Sequence, residues 1–291
     1  MRSQATIEAL PYAQRKRLQF VESMAQWEGV VQRQRICDIF GVSPNHVTRD
    51  LALYRSLSPY NLEYDVSRRA YRPSAKFQPL LASGTAEEYL AQLQLALQTS
   101  KNGEMPDWAQ GLPVAGLPQA GGALDATVVQ ALVRAIRDRT SVEVAYQSLQ
   151  TPEPTSRVIW PRHLIYVLGR WHVRAFDGRH KRFADLVLAR LSAARPSGSA
   201  LPDSENEDDA WAQEATVEVV PNPRLAPAQQ RVVAKEYGMS QVDGQWIWPA
   251  KMNQTLVKYF LAQHLLRKPT ARSPVIARNL SSLSAIDIER E

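Results

Sequence analysis

The spacing of apolar residues changes along the chain, and each change marks a different kind of element. Leu18, Val21 and Met24 or Ala25 fall at helical intervals, which predicts a helix over 13–28 closed by Gly29. Ile36, Ile39 and Phe40 give the apolar side of a second helix over 32–40. Gly41-Val42 is a short turn, Ser43 an N-cap residue, and Pro44 suits the first position of a third helix. That helix runs through Val47, Leu51 and Tyr54 to about Leu57. Short strands at 62–64 and 70–72 flank a turn at Asp65-Val66-Ser67-Arg68-Arg69. Leu90, Leu93 and Leu97 predict a helix over 87–99, and 101–122 collects prolines and glycines as a linker before a helix over 124–139. Period two then takes over, with strands expected at 142–148, 156–168, 170–177 and 181–190. An acidic run at 202–209, including Asp203, Glu205, Glu207, Asp208 and Asp209, reads as a solvated loop. Beyond it come strand 216–220, helix 226–237, strand 245–248, helix 251–266 and a weakly patterned tail from Pro269.

Helix, helix, tight turn, helix, hairpin is the order of a winged helix-turn-helix. The third helix turns Asn45, His46, Thr48 and Arg49 away from Val47 and Leu51, and these are side chains able to reach base edges and phosphates in a major groove. Arg68 and Arg69 lie at the hairpin tip, where a wing meets the backbone or the minor groove. Ser43, Arg33 and Arg55 complete the expected DNA-binding set, and Arg15, Lys16, Arg17 and Arg35 add charge. Between Met1 and Lys76 there are twelve basic and seven acidic residues. The plainer alternative is a small helical domain with a solvated basic surface. Turn chemistry, capping and hairpin agree with one another, which favours DNA. Asp50 is expected to organise Arg49 or its own helix.

The stretch Arg170-Trp171-His172-Val173-Arg174-Ala175-Phe176-Asp177 alternates in a telling way. On a strand Arg170, His172, Arg174 and Phe176 share one face, and Trp171, Val173 and Ala175 the other. The second is a core face, Trp171 included. The first is either a solvated outer face or a binding surface, because arginine and histidine under cover require anionic or polar partners. Tyr146 and Ser148 end the apolar row of Val142 and Val144, His163 follows Pro161, and Arg190 lies two residues beyond Leu188 on the same strand face. Together these side chains converge on an anion, and the forks of Arg174 and Arg190 match phosphate geometry. His163 and His172 also read as satisfied structural histidines, and Arg170 as a surface residue.

The chain has 291 residues, enough for two or three domains, and a net charge of +6. That charge favours an anionic partner. Cys37 is the one cysteine, so no internal disulfide forms, and its apolar helical setting makes it a packed thiol. No apolar h-region opens the chain and no 18-residue apolar run occurs, so a soluble, cytoplasmic protein without membrane contact is expected. H-E-x-x-H, paired C-x-x-C and Walker patterns are missing, and the histidines at 46, 163, 172, 180 and 264 are not spaced as metal ligands. No enzymatic role, metal or cofactor is expected.

Tyr146-Gln147-Ser148, Trp160-Pro161-Arg162-His163-Leu164, the stretch from Arg170 to Asp177, and Arg182-Phe183 through Leu188-Ala189-Arg190 resemble a WYL domain. Trp171-His172-Val173 stands where that family has Trp-Tyr-Leu. The RWHVRA form is similar to the BrxR/CapW-type regulators beside BREX and CBASS phage-defence operons. The resemblance implies an α+β multidomain chain. It would comprise a winged helix-turn-helix at 1–76, a helical linker at 77–123, an SH3- or Sm-like small β-barrel (the WYL domain) at 124–196 and a small α/β dimerisation domain at 210–291. It further implies a homodimeric repressor on an inverted-repeat duplex operator, with a nucleic-acid or nucleotide-like effector bound by Tyr146, Ser148, His163, Arg170, His172, Arg174 and Arg190. The rival readings are a DNA-binding accessory protein with no sensing role, and a single-strand-binding partner of an enzyme.

Overall fold

The computed structural model describes residues 7, 9–81, 84–99, 112–117, 122–200 and 207–283. Most of the expected linker, the acidic residues Asp203 and Glu205 and the end of the tail lie outside them. The chain divides into two compact units, 1–119 and 120–291.

In the first unit, α1 (Tyr12–Ser23) runs into a π-helical turn (Met24–Glu28) that ends at Gly29. α2 (Arg33–Phe40) ends at Gly41, whose φ of +62° is the left-handed geometry glycine adopts without steric penalty. Ser43 then caps α3 (Pro44–Leu57), its Oγ accepting from His46 N at 3.3 Å, with Pro44 in the first turn. The wing is the antiparallel pair β1 (Leu62–Asp65) and β2 (Ala70–Pro73), and α4 (Ala86–Thr99) follows. Val31 forms a bridge to Tyr71, which ties the wing to the helices.

Leu18, Val21, Met24, Ile36, Val47, Leu51 and Tyr54 meet in one core, where the expected helical stripes put them, and Cys37 is buried beside them. A carboxylate sits in this core. Glu22 is fully buried, and its oxygens accept from Tyr54 Oη at 2.8 Å and from the backbone N–H groups of Leu80 and Leu81 at 2.7 Å each. Burial, chiefly, pushes the Tyr54 hydroxyl far above its ordinary pKa, so it stays a donor.

In the second unit, α5 (Ala126–Asp138), capped by Asp125, lies on an antiparallel sheet. The strands are β3 (Thr140–Tyr146), β4 (Thr155–Val167), β5 (Arg170–Asp177), β6 (Arg182–Val187) and β7 (Leu191–Ala200), in the order β6-β5-β4-β3-β7. The expected barrel is not closed: β6 and β7 stay at opposite edges, and no pairing between them joins the sheet among the described residues. β7 falls where no strand was expected, and Arg190 lies in a 3₁₀ turn (Leu188–Arg190), not on a strand.

A four-stranded sheet follows, with the order β11-β8-β10-β9. Its strands are β8 (Glu214–Pro221), β9 (Ser240–Val242), β10 (Gln245–Asn253) and β11 (Val275–Ala277). The short α6 (Asp209–Ala212) precedes it, and α7 (Pro227–Glu236) and α8 (Val257–Gln263) pack on it. The expected helix over 251–266 is shorter at its start because Lys251, Met252 and Asn253 pair with β8.

Replacing Glu22 by alanine takes the acceptor from the buried Tyr54 hydroxyl and from the partly buried N–H groups of Leu80 and Leu81. We expect a loss of about 3–5 kcal/mol in the first unit, read by hydrogen exchange of α1 and α3, with little change in the second.

Candidate nucleic-acid interface and ligand cleft

The Ser43 cap sets the direction in which α3 starts, and Asn45, His46, Thr48 and Arg49 of its first turns are exposed. Asn45 and Arg49 are exposed and, among the described residues, make no side-chain hydrogen bond or ion pair. Thr48 is already engaged: its Oγ1 donates to Pro44 O at 2.8 Å and accepts from Arg33 Nη1 at 3.2 Å. Arg55 packs its guanidinium over the Tyr71 ring at 5.9 Å. Arg68 and Arg69 are exposed at the hairpin tip, where Asp65 Oδ1 accepts from Arg68 N and Arg69 takes a left-handed φ of +50°. Arg17 is different. It is 6% exposed and adds nothing to the surface; Asp50, 1% exposed, pairs with it and not with Arg49.

In the second unit a cleft of about 730 Å³ opens on the cationic face of β5. Tyr146, Ser148, Arg170, His172, Arg174 and Arg190 line it, so six of the seven expected ligand residues come together. His163 does not join them. A register shift between Pro161 and His163 interrupts the β4–β5 pairing, and the His163 ring stacks on Trp211 at 4.1 Å. Ser148 lies beyond the end of β3, in the turn, where its Oγ accepts from Gln150 N.

The two faces of β5 are both covered. Val173 and Ala175 are fully buried in the core under α5, as alternation predicts. Trp171 is not in that core. It is 44% exposed near the tip of the β4–β5 hairpin, its ring 5.1 Å from that of Tyr166. On the other face Arg170 is exposed, but His172, Arg174 and Phe176 are 3%, 7% and 4% exposed, so beyond Arg170 this is no solvated surface. What covers it comes from further along the chain.

Arg174 Nε and Nη2 donate to Asp208 Oδ2 and Oδ1 at 2.6 and 2.8 Å, and Nη1 donates to Asp185 Oδ1 at 3.0 Å. Asp208, expected in a solvated loop, therefore forms a bidentate pair, and it also caps α6 through Trp211 N at 3.2 Å. Asp185 Oδ2 accepts from Tyr259 Oη at 2.9 Å and pairs with Lys258 Nζ at 3.3 Å. A second buried group holds the cleft wall: Arg157 Nη1 donates to Asp177 Oδ2 at 2.7 Å and lies over the Tyr146 ring at 4.8 Å. His180 Nδ1 is 2.8 Å from the same Asp177 oxygen.

Sequence reasoning missed Arg157, Asp177, Asp185, Asp208, Lys258 and Tyr259. Arg157 shares a strand face with Ile159 on β4 and was within reach of a period-two reading; the others become visible only when distant segments meet.

Burial resists ionisation of Asp185, and Lys258 and Arg174 outweigh it, so its pKa falls below the ordinary carboxylate value. Burial also lowers the pKa of His172 despite Asp185 nearby, which keeps the ring neutral at pH 7. Two polar atoms in the lining, His172 Nδ1 and Thr255 Oγ1, are buried and have no hydrogen-bond partner among the described residues. Arg170, Arg182 and Arg190 also line the cleft, and among the described residues their side chains make no hydrogen bond or ion pair. The cleft thus combines guanidinium groups already held by carboxylates with others that are unclaimed.

Residues 13–95 match the BrxR transcriptional regulator winged helix-turn-helix domain, residues 127–196 the WYL domain, and residues 214–283 the BrxR transcriptional regulator C-terminal dimerization domain. The DNA-binding transcriptional repressor CapW of Escherichia coli (strain KTE188) is 34% identical over 265 residues, 90% of this chain and 86% of the relative. The chain belongs to the BrxR/CapW family. CapW proteins of Pseudomonas aeruginosa and Stenotrophomonas maltophilia are each 35% identical, over 78% and 80% of this chain and 76% and 77% of theirs. Winged helix, WYL and C-terminal domains follow one another in the order the resemblance implied. No helix among the described residues is long and apolar enough to cross a membrane.

In this BrxR/CapW-family chain, Asp185→Asn removes the charge that Arg174 and Lys258 share. Its depressed pKa contributes stability that is fully present above the unfolded value, near 3.9, and is lost as pH falls through the folded value. We expect Asp185→Asn to lower the stability of the second unit by about 3 kcal/mol at neutral pH. Urea titrations carried into strong acid should show the gap to wild type closing.

Proposed function

We propose that the protein is a cytoplasmic, sequence-specific DNA-binding transcriptional repressor. It would act as a homodimer on an inverted-repeat operator, control a phage-defence operon, and respond to a nucleic-acid or nucleotide-like anion bound in the cleft. The observation that carries the DNA reading is the capped helix α3, whose exposed Asn45 and Arg49 are unclaimed while its apolar side is fixed in the core. Arg33, His46, Arg55, Arg68 and Arg69 extend the surface toward phosphates and an adjacent groove. That the CapW relatives are named DNA-binding transcriptional repressors supports the same reading. A matching C-terminal dimerization domain supports a two-fold protein, which suits a two-fold operator.

The sensing step follows from how the cleft's cations are distributed. Arg170, Arg182 and Arg190 are open to phosphate oxygens, and neutral His172 and Thr255 offer polar contacts beside them. Arg174 is already satisfied by Asp185 and Asp208. An anion seated among the free arginines competes with Asp208 for that guanidinium and loads negative charge beside Asp185. Asp185 also holds Lys258 and Tyr259 of α8, so the competition bears directly on the joint between the WYL sheet and the C-terminal elements. Ligand then shifts the population between joint conformations by as much as its affinity for them differs.

Two variants separate the roles in a gel-shift with the DNA upstream of the gene. Arg49→Ala should lower specific affinity by about tenfold or more in a folded protein and flatten its salt dependence. Arg190→Ala should leave DNA affinity unchanged while abolishing release by a phosphate-bearing probe such as a short oligodeoxythymidylate. If random duplex competes with the upstream DNA equally well, the repressor reading fails. If Arg190→Ala responds to the probe as wild type does, the sensing reading fails.

A further inference from the structure

Arg17 and Asp50 are among the most deeply buried charged residues of the first unit. Arg17 Nε donates to Asp50 Oδ2 at 2.6 Å, and Gln14 Nε2 donates to Asp50 Oδ1 at 2.8 Å. The carboxylate of α3 is therefore held on both oxygens by side chains of α1. The guanidinium has a further edge, and its Nη2 lies 2.9 Å from Nε2 of His46. Arginine offers only donors. A ring nitrogen facing it at hydrogen-bond distance accepts and carries no proton. The proton of the neutral ring then sits on Nδ1, the reverse of the tautomer a free histidine side chain favours.

We propose that Arg17, anchored by Asp50, is a positioning residue that locks His46 as the Nδ1–H tautomer. The exposed histidine in the first turn of α3 thereby becomes a single N–H donor for an acceptor on a base edge, a purine N7, guanine O6 or thymine O4. An unfixed imidazole offers a donor or an acceptor at either nitrogen and discriminates poorly. A fixed donor pairs with purine N7, guanine O6 and thymine O4, all acceptors, and is refused by the amino groups of cytosine and adenine, which are donors themselves. The backbone is fixed as well, since His46 N donates to the capping Ser43 Oγ. The base contact rests on the DNA reading above; the tautomer does not.

The two are tested separately. In the full-length ¹⁵N-labelled protein without DNA, a long-range ¹H–¹⁵N correlation, with His46→Gln to assign the signals, reports which nitrogen is protonated. The expected result at neutral pH is a protonated Nδ1 and a bare Nε2. A protonated Nε2 overturns the proposal, and this measurement requires no variant of the buried pair to fold. The double variant Arg17→Met/Asp50→Leu removes both charges and strands neither; in it His46 should return to the Nε2–H form. Selection from a randomised duplex pool then reads the consequence. Wild type should deplete cytosine at one position of each half-site, and the double variant should lose about tenfold of that discrimination. The other positions and the salt slope should be unchanged. A variant that keeps both the tautomer and the base preference overturns the role of Arg17. Wild-type protein that selects no sequence overturns the DNA reading and with it the base contact, whatever the tautomer.

Discussion

An arginine keeps its charge at any pH a cell reaches, so a buried one dictates what surrounds it. Arg174, 7% exposed on the middle of β5, sets that condition for the whole second unit. Its five donors face Asp208 along one edge and Asp185 at the remaining nitrogen. Asp185 then recruits Lys258 and Tyr259 from α8, and Asp208 caps the helix that leads to β8. Two sheets with separate apolar cores are thus joined through charge, and the cleft lies where that joint meets the sheet. Its unclaimed arginines stand beside a network that is already neutralised, so the cleft holds open and claimed cations side by side.

How much of this the sequence disclosed depended on whether the governing contacts were local. The winged unit was legible nearly to the residue, because Gly41, Ser43 and Pro44 act on their immediate neighbours and the stripe through Val47, Leu51 and Tyr54 has a single period. The core face of β5 was equally plain in Val173 and Ala175. Trp171 was misplaced because alternation gives the face a side chain points to and says nothing of where the covering helix stops. The cationic face could be recognised as requiring partners, yet nothing local identifies Asp208 or Tyr259 as those partners. Asp208 was read as solvated for the same reason: an acidic run is indistinguishable from a surface loop until the arginine it meets is known.

Asp50 shows the same limit at shorter range. Its proximity to Arg49 in the sequence suggested a pair within the helix, whereas successive helical residues point apart and the true partner comes from α1. The consequence reaches the surface, since the same guanidinium touches His46. A buried ion pair in the winged unit and another in the second unit therefore share a logic: each carries a charged group under cover to the edge of a surface where an outside molecule is expected.

β7 has a different consequence. It is a long, mostly exposed strand at an open sheet edge, the kind of edge that recruits further strands. Pro196 removes a donor from it, Ala193 and Gly198 take left-handed backbone angles, and its register against β3 slips between Thr140 and Val142 and again between Glu143 and Ala145. These irregularities hid the strand from a pattern search. They also interrupt the row of backbone groups along which a second copy's strand would pair.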